Sequence, residues 1–274
     1  IRGDEAREIA SWLIQGLRGQ RGPMLAALAL RQKSAYTFSH SLNVSLLLLA
    51  QVEMLPLSER QLEEVAAAGL LHDVGKLRIP EELLNKPGAP SDAEWEQLRR
   101  HPVLGVETLA KMRDAGDLAL VVAFEHHRRH DGSGYPALRE PWPIGRVTAL
   151  AAIADSYDAM RSHRPYDVGW PCERVYERMR ALAGSAYDPG LLERFFRIVG
   201  VYPPGALVRL SSGAIAKVVR NHPVEVDRPV VRILRAADGS IPQAETHLDL
   251  ALERERHGEE ALAVHESLPD LPGD

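Results

Sequence analysis

Five histidines and two aspartates stand along this 274-residue chain in the order His40, His72-Asp73, His101, His126-His127 and Asp155. Imidazole nitrogens and carboxylate oxygens are ligands for divalent transition metals, and such residues spread over successive helices are what a metal centre in a bundle core requires. The densest element is LLHDVGK at Leu70–Lys76, where imidazole, carboxylate and ammonium follow an apolar stretch. Buried polar groups of this kind need partners, because uncompensated desolvation is costly. Metal ions are such partners.

Each residue taken alone has a plainer reading. His72 and Lys76 could answer the dipole at a helix carboxyl terminus. His40 shares an apolar stripe with Val44 and Leu47, where a lone histidine is more often a hydrogen-bonded core residue. His101 precedes Pro102 and could be a cap, and His126-His127 could be the polar end of the run LALVVAFE. Asp155 lies mid-helix among Ala151, Ala152 and Ala159, an odd place for a solvated carboxylate. All the plain readings would have to hold together, and that weighs toward a metal site.

The elements that must position these groups are legible in outline. LEEVAAAGLLHDVGKL predicts a helix with Leu62, Ala66, Gly69 and Asp73 on one face, Gly69 admitting a neighbour closely. His72 falls about 100° further round, so the adjacent pair can address one site from two directions, and a carboxylate can bridge two cations. His40 belongs to a helix running to about Gln51, the capping box Ser91-x-x-Glu94 starts another, and RVTALAAIADSYDAM carries Asp155. Short amphipathic helices at Ala6–Leu17 and Met24–Gln32 lead in, and Glu173–Ala183 and LLERFFRIV form later helices. After Tyr202-Pro203-Pro204-Gly205 the runs ALVRL, AIAKVVR and PVVRIL are β-branched and separated by turn residues, which predicts a small antiparallel sheet. Beyond about Leu250 the charged tail predicts a solvated helix and then disorder. The fold class is therefore mainly α, a helical bundle with a small C-terminal antiparallel β appendage. We divide it into a lead-in (1–33), a main domain (34–200), the appendage (201–250) and a polar tail (251–274).

Composition narrows the class. A chain 45% hydrophobic can bury a sizeable core, and no apolar run approaches a membrane span. A net charge of -5 argues against a duplex nucleic-acid binder, and one cysteine makes no internal disulfide, which suits a reducing compartment. Cys172 is too far from the motif to count as a ligand. The chain opens on Ile1 without a signal-peptide pattern, so we expect it to be the end of a longer protein. Neither G-x-S-x-G nor H-E-x-x-H occurs, and no Ser-His-Asp chemistry is called for.

The strings YTFSHSLNVS, LLHDVGK, IPEELLNKPG, HPVLG, HH followed by DGSGYP, IADSYDAM and RPY stand in register over roughly Ser34–Tyr202. As a set they resemble the HD-GYP phosphodiesterases, a branch of the HD metal-dependent phosphohydrolases that hydrolyses bacterial cyclic dinucleotides, chiefly cyclic di-GMP. The resemblance implies an HD-type bundle holding two divalent ions, iron or manganese. Asp73 would bridge them, with His40, His72 and Asp155 on one side and His101, His126 and His127 on the other. Lys76 would stand beside the cluster as a catalytic and substrate-binding group, and Arg164 would contact a substrate phosphate. The implied reaction is hydrolysis to linear pGpG, GMP or both by a metal-activated hydroxide. The implied setting is the bacterial cytoplasm, downstream of a sensor or receiver domain. It leaves open a homodimer and a protein partner at the loop Gly134-Tyr135-Pro136.

Three positions depart from the family pattern. Arg128 stands where the family often has Glu and could perturb the Gly-Tyr-Pro loop. Tyr36 replaces a Glu that serves some members as a ligand for a third ion, so we expect two. Asp167 stands where a basic residue is common. Two other readings follow: a phosphohydrolase of another nucleotide, weighed against by the Gly-Tyr-Pro string and Lys86-Pro87-Gly88, and a catalytically weak cyclic-dinucleotide receptor or interaction module, kept open by Arg128 and Asp167.

Overall fold

The run Leu46–Ala50 has no polar face, so the helix that carries it must be covered on every side. In the computed structural model, which describes residues 36–53, 55–112, 115–140, 142–162 and 169–269, that helix is α1, Tyr36–Val52, and all five of those residues are buried. The expected helices at Ala6–Leu17 and Met24–Gln32, the side chain of Tyr36, Arg164, Asp167 and the last residues of the tail lie outside the described residues. The chain divides into two compact units, the second taking Trp170–Ala181 and everything from Glu193 on.

In the first unit α1 packs against α2, Glu59–Leu71, and α7, Arg146–Arg161. Between them in sequence lie a 3-10 helix, Val74–Arg78, then α3, Glu81–Leu84, α4, Asp92–Leu98, α5, His101–Leu109, and α6, Asp117–Glu125. The close approach expected at Gly69 is present: a Cβ there would stand 2.7 Å from the Ser45 Cα of α1. Ser45 Oγ donates to the Ala66 carbonyl at 2.8 Å, and Gln51 Nε2 donates to the Leu150 carbonyl of α7 at 3.1 Å. These bonds satisfy polar groups inside an otherwise aliphatic contact. Each Leu buried along it contributes about 1.5–3 kcal/mol.

Two local expectations are corrected. The helix carrying the His-Asp pair stops at Leu71, with His72 as its cap and Asp73 outside it, and the chain tightens into the 3-10 helix. Gly75 is the reason this turn fits: a Cβ there would strike the His101 carbonyl oxygen and the backbone of Gly105, so only glycine lets the turn lie on α5. His101 is not a cap but the first residue of α5, with Arg100 before it. The capping box at Ser91 and Glu94 is formed as the sequence indicates.

The second unit contains α8, Cys172–Ala181, and most of α9, Pro189–Val199, with a five-stranded antiparallel sheet. Its strands are β1, Leu207–Leu210, β2, Ile215–Arg220, β3, Val230–Arg235, β4, His247–Asp249, and β5, Val264–Leu268, in the order β4-β3-β2-β1-β5. Val208 faces Ala216 on one side and Ser267 on the other. The sheet thus reaches past the boundary read at Leu250. The helix expected there is α10, Leu250–His257, and β5 follows it in the stretch expected to be disordered. Strand β5 was missed because VHESL pairs at a sheet edge, where an exposed face leaves little apolar pattern. Cys172, set aside from sequence as too far from the motif to be a ligand, is buried here with Val208 and Ala216.

Candidate metal centre

Five segments of the first unit converge on Asp73. Its Oδ2 lies 3.5 Å from His40 Nε2 of α1 and 3.3 Å from His72 Nε2. Its Oδ1 lies 3.4 Å from His101 Nε2 of α5 and 3.8 Å from His126 Nε2 at the end of α6. Asp155 of α7 spans the same gap, with Oδ1 3.1 Å from His40 and 3.7 Å from His72, and Oδ2 3.8 Å from His127 Nδ1. Two groups of ligand atoms result, Asp73 with His40 and His72, and Asp73 with His101, His126 and His127, each within 4.8 Å. All seven residues named from sequence are brought together, and all but the partly exposed His127 are buried.

The rings are aimed. Contacts of Nδ1 with backbone carbonyls hold His72 at Gly69 (2.8 Å), His101 at Leu98 (2.7 Å) and His126 at Val122 (3.0 Å). A carbonyl accepts only, so the proton sits on Nδ1 and Nε2 faces the cluster. His101 Nε2 then lies 3.2 Å from His126 Nε2 and 3.1 Å from His127 Nε2. His101 and His126, both anchored this way and kept neutral by burial, bring lone pairs face to face, an arrangement that a shared cation relieves. Among the described residues, His72 Nε2 and Asp73 Oδ1 are buried without a hydrogen-bond partner. The residues therefore fit divalent ions, and the donor set is nitrogen and oxygen without thiolate.

Charge is divided across the cluster. Burial opposes protonation of His40 and His72, but carboxylates overcome it: Asp155, Asp158 and Asp73 hold His40 well above its ordinary value, and Asp73 with Asp155 raises His72 to about 9. On the other side burial lowers His101, His126 and His127, the last to about 4. Burial alone would raise Asp73, yet Lys76, His72 and His40 keep it well below the carboxylate range. Lys76 Nζ donates to Asp73 Oδ2 at 2.5 Å, so the ammonium singled out from sequence is at the cluster.

Sequence reasoning missed Asp158. Its Oδ2 lies 2.8 Å from His40 Nδ1 and also accepts from Ser162 Oγ at 2.9 Å, while Oδ1 accepts from Asn43 Nδ2 at 2.8 Å. A carboxylate behind a ligand histidine fixes the ring and its tautomer. The available signal was its position one helical turn beyond Asp155 in IADSYDAM.

The loop after α6 closes over His127. Gly134 has φ 93°, and a Cβ there would strike the His127 carbonyl oxygen, so the backbone can fold back only with glycine. Tyr135 then stacks on His127, with ring centroids 4.5 Å apart and an interplanar angle of 28°. Arg128 does not disturb this loop. It is buried, donates to Glu125 Oε1 at 2.7 Å and to the Trp142 carbonyl at 2.6 Å, and its backbone pairs with Gly134. Trp142 Nε1 donates to the same Glu125 oxygen, so one carboxylate ties the helix end to the loop.

A family model described as an HD domain matches residues 24–191. A cyclic di-GMP phosphodiesterase of Pseudomonas aeruginosa is 37% identical over 227 residues, covering 83% of this chain and 55% of the relative. A 3'3'-cGAMP-specific phosphodiesterase of Vibrio cholerae is 34% identical over 166 residues, covering 60% of this chain and 32% of that one. The chain thus spans about half the length of the first of these relatives and a third of the second. Among solved structures, Bd1817, an HDG"Y"P protein from Bdellovibrio bacteriovorus, shares the fold with a TM-score of 0.59 at 16% identity, covering 70% of this chain and 62% of that one.

Proposed function

Because the chain belongs to the HD-domain family, we propose that it is a metal-dependent phosphodiesterase that opens cyclic di-GMP, giving linear pGpG, GMP or both. The observation that carries this reading is Asp73, whose two oxygens face two separate histidine groups. The donor atoms of the cluster fit divalent ions, and the name of the P. aeruginosa relative supports cyclic di-GMP as the substrate.

His40, His72, Asp73 and Asp155 would hold one ion, and His101, His126, His127 and Asp73 a second, with iron or manganese suited to these donors. Bound cations there would lower the pKa of a water and polarise a phosphoryl oxygen. Lys76 steadies Asp73 and offers positive charge where a phosphorane builds negative charge. Arg164 is assigned a substrate phosphate on the strength of the RPY resemblance. Tyr36 stands where a third ion would need a carboxylate, and a phenol with a pKa near ~10 is a poor ligand at neutral pH. The V. cholerae relative favours one second reading, a mixed cyclic dinucleotide as substrate.

The test is hydrolysis. Metal-loaded protein is incubated separately with cyclic di-GMP and 3'3'-cGAMP, and the products are separated by chromatography. We expect cyclic di-GMP to be opened by the wild type, with turnover lost in Asp73→Ala because both ions lose a shared ligand. Undiminished hydrolysis by Asp73→Ala would overturn the assignment. Faster opening of 3'3'-cGAMP would select the second reading.

A further inference from the structure

No side chain of α4 is buried, and Trp95 leaves 43% of its surface in solvent. Tryptophan covers its apolar body wherever a fold offers shelter, so its exposure here is informative when joined to what lies beside it. One turn on, the Arg99 guanidinium lies over two rings, its ζ carbon 5.7 Å from the centre of Trp95 and 5.6 Å from that of Tyr135. Tyr135 lies on His127, whose Nε2 belongs to the cluster, and its ring also meets the edge of His101 at 6.1 Å. Indole, guanidinium, phenol and imidazole thus form an unbroken row from solvent to the cluster. Nucleotides are held by this chemistry: bases stack on aromatic and guanidinium faces, and guanidinium pairs with phosphate.

We propose that Trp95 and Arg99 form a subsite for the half of the cyclic dinucleotide that is not being cleaved, Trp95 stacking a purine and Arg99 pairing with the second phosphate. The inference rests on the phosphodiesterase reading and extends it to substrate recognition. A row of this kind distinguishes a dinucleotide from a simple diester, because the simple diester has neither the base nor the second phosphate.

Trp95→Ala, Trp95→Phe and Arg99→Gln are compared with wild type in steady-state assays on cyclic di-GMP and on bis(p-nitrophenyl) phosphate, with metal content measured in each preparation. We expect KM for cyclic di-GMP to rise roughly tenfold in Trp95→Ala and Arg99→Gln, in line with the loss of one stacked base or one phosphate contact. The change on the simple diester should be much smaller, and Trp95→Phe should restore most of the affinity. An unchanged KM for cyclic di-GMP, or equal losses on both diesters, would overturn the subsite. If wild type hydrolyses neither diester the phosphodiesterase reading fails by itself, and calorimetric binding of cyclic di-GMP to the same metal-loaded proteins decides the subsite. Weaker binding in both variants supports it; equal binding, or none by wild type, overturns it.

Discussion

Asp158 shows how a residue that need not touch an ion can govern one. It holds His40 by Nδ1, and partners of this kind typically change metal affinity 10–100-fold when removed, roughly what we expect of Asp158→Ala. Competition with a chromogenic chelator would measure it, and unchanged affinity would refute the role. The divided charge of the cluster leads to a second expectation, about pH. His72, raised to about 9, favours its protonated form at neutral pH in the metal-free protein, and the carboxylates around His40 shift it the same way, so an ion entering that side displaces protons. The opposite side is neutral already, His127 having fallen to about 4. Uptake on the His40 side should therefore weaken as pH falls below about 9, with protons released on loading at pH 7. Calorimetry in buffers of different ionisation enthalpy counts them, and the absence of release would contradict the assigned charges. The ligand types were legible because seven unusual residues occur in apolar surroundings. Asp158 was not, because a second acidic residue on a helix usually faces solvent.

At the level of elements, the site depends on how closely two helices and a turn can approach. Gly69→Ala would set a Cβ 2.7 Å from the Ser45 Cα, against backbone rather than a yielding side chain. We expect a loss of about 1–3 kcal/mol, read as a lower urea midpoint with an unchanged slope. An unaltered midpoint would mean that α1 and α2 are freer to separate than their contact implies. The helical periods, the capping box and Gly69 could be read directly, since each is a local pattern with a local cause. The stop at Leu71 could not, because what ends α2 is the packing of Gly75 on α5, a contact with residues far along the chain. Strands β4 and β5 escaped for the same reason: short strands gain their identity from the neighbour they pair with.

For the whole molecule, an ion that binds only the folded chain adds to its stability by mass action. At free metal a hundred times the dissociation constant, each site contributes about 2.7 kcal/mol, a shift of roughly 5–10 °C in the melting of a domain of this size. Removing both ions with a chelator should lower Tm by about twice that, roughly 10–20 °C, and Asp73→Ala protein should no longer respond. Equal melting with and without chelator in the wild type would argue against a resident centre. Among the described residues no helix is long and apolar enough to cross a membrane. His40 and Asp158, which meet at 2.8 Å, are separated by 118 positions in sequence. Closing a loop of that length is slow compared with forming a helix, and the chain is synthesised from its amino terminus. Every other ligand segment is therefore made before the one carrying Asp155 and Asp158. The cluster can be completed only when that last segment docks, so a nascent or truncated chain lacking it cannot gather the full set of donor atoms.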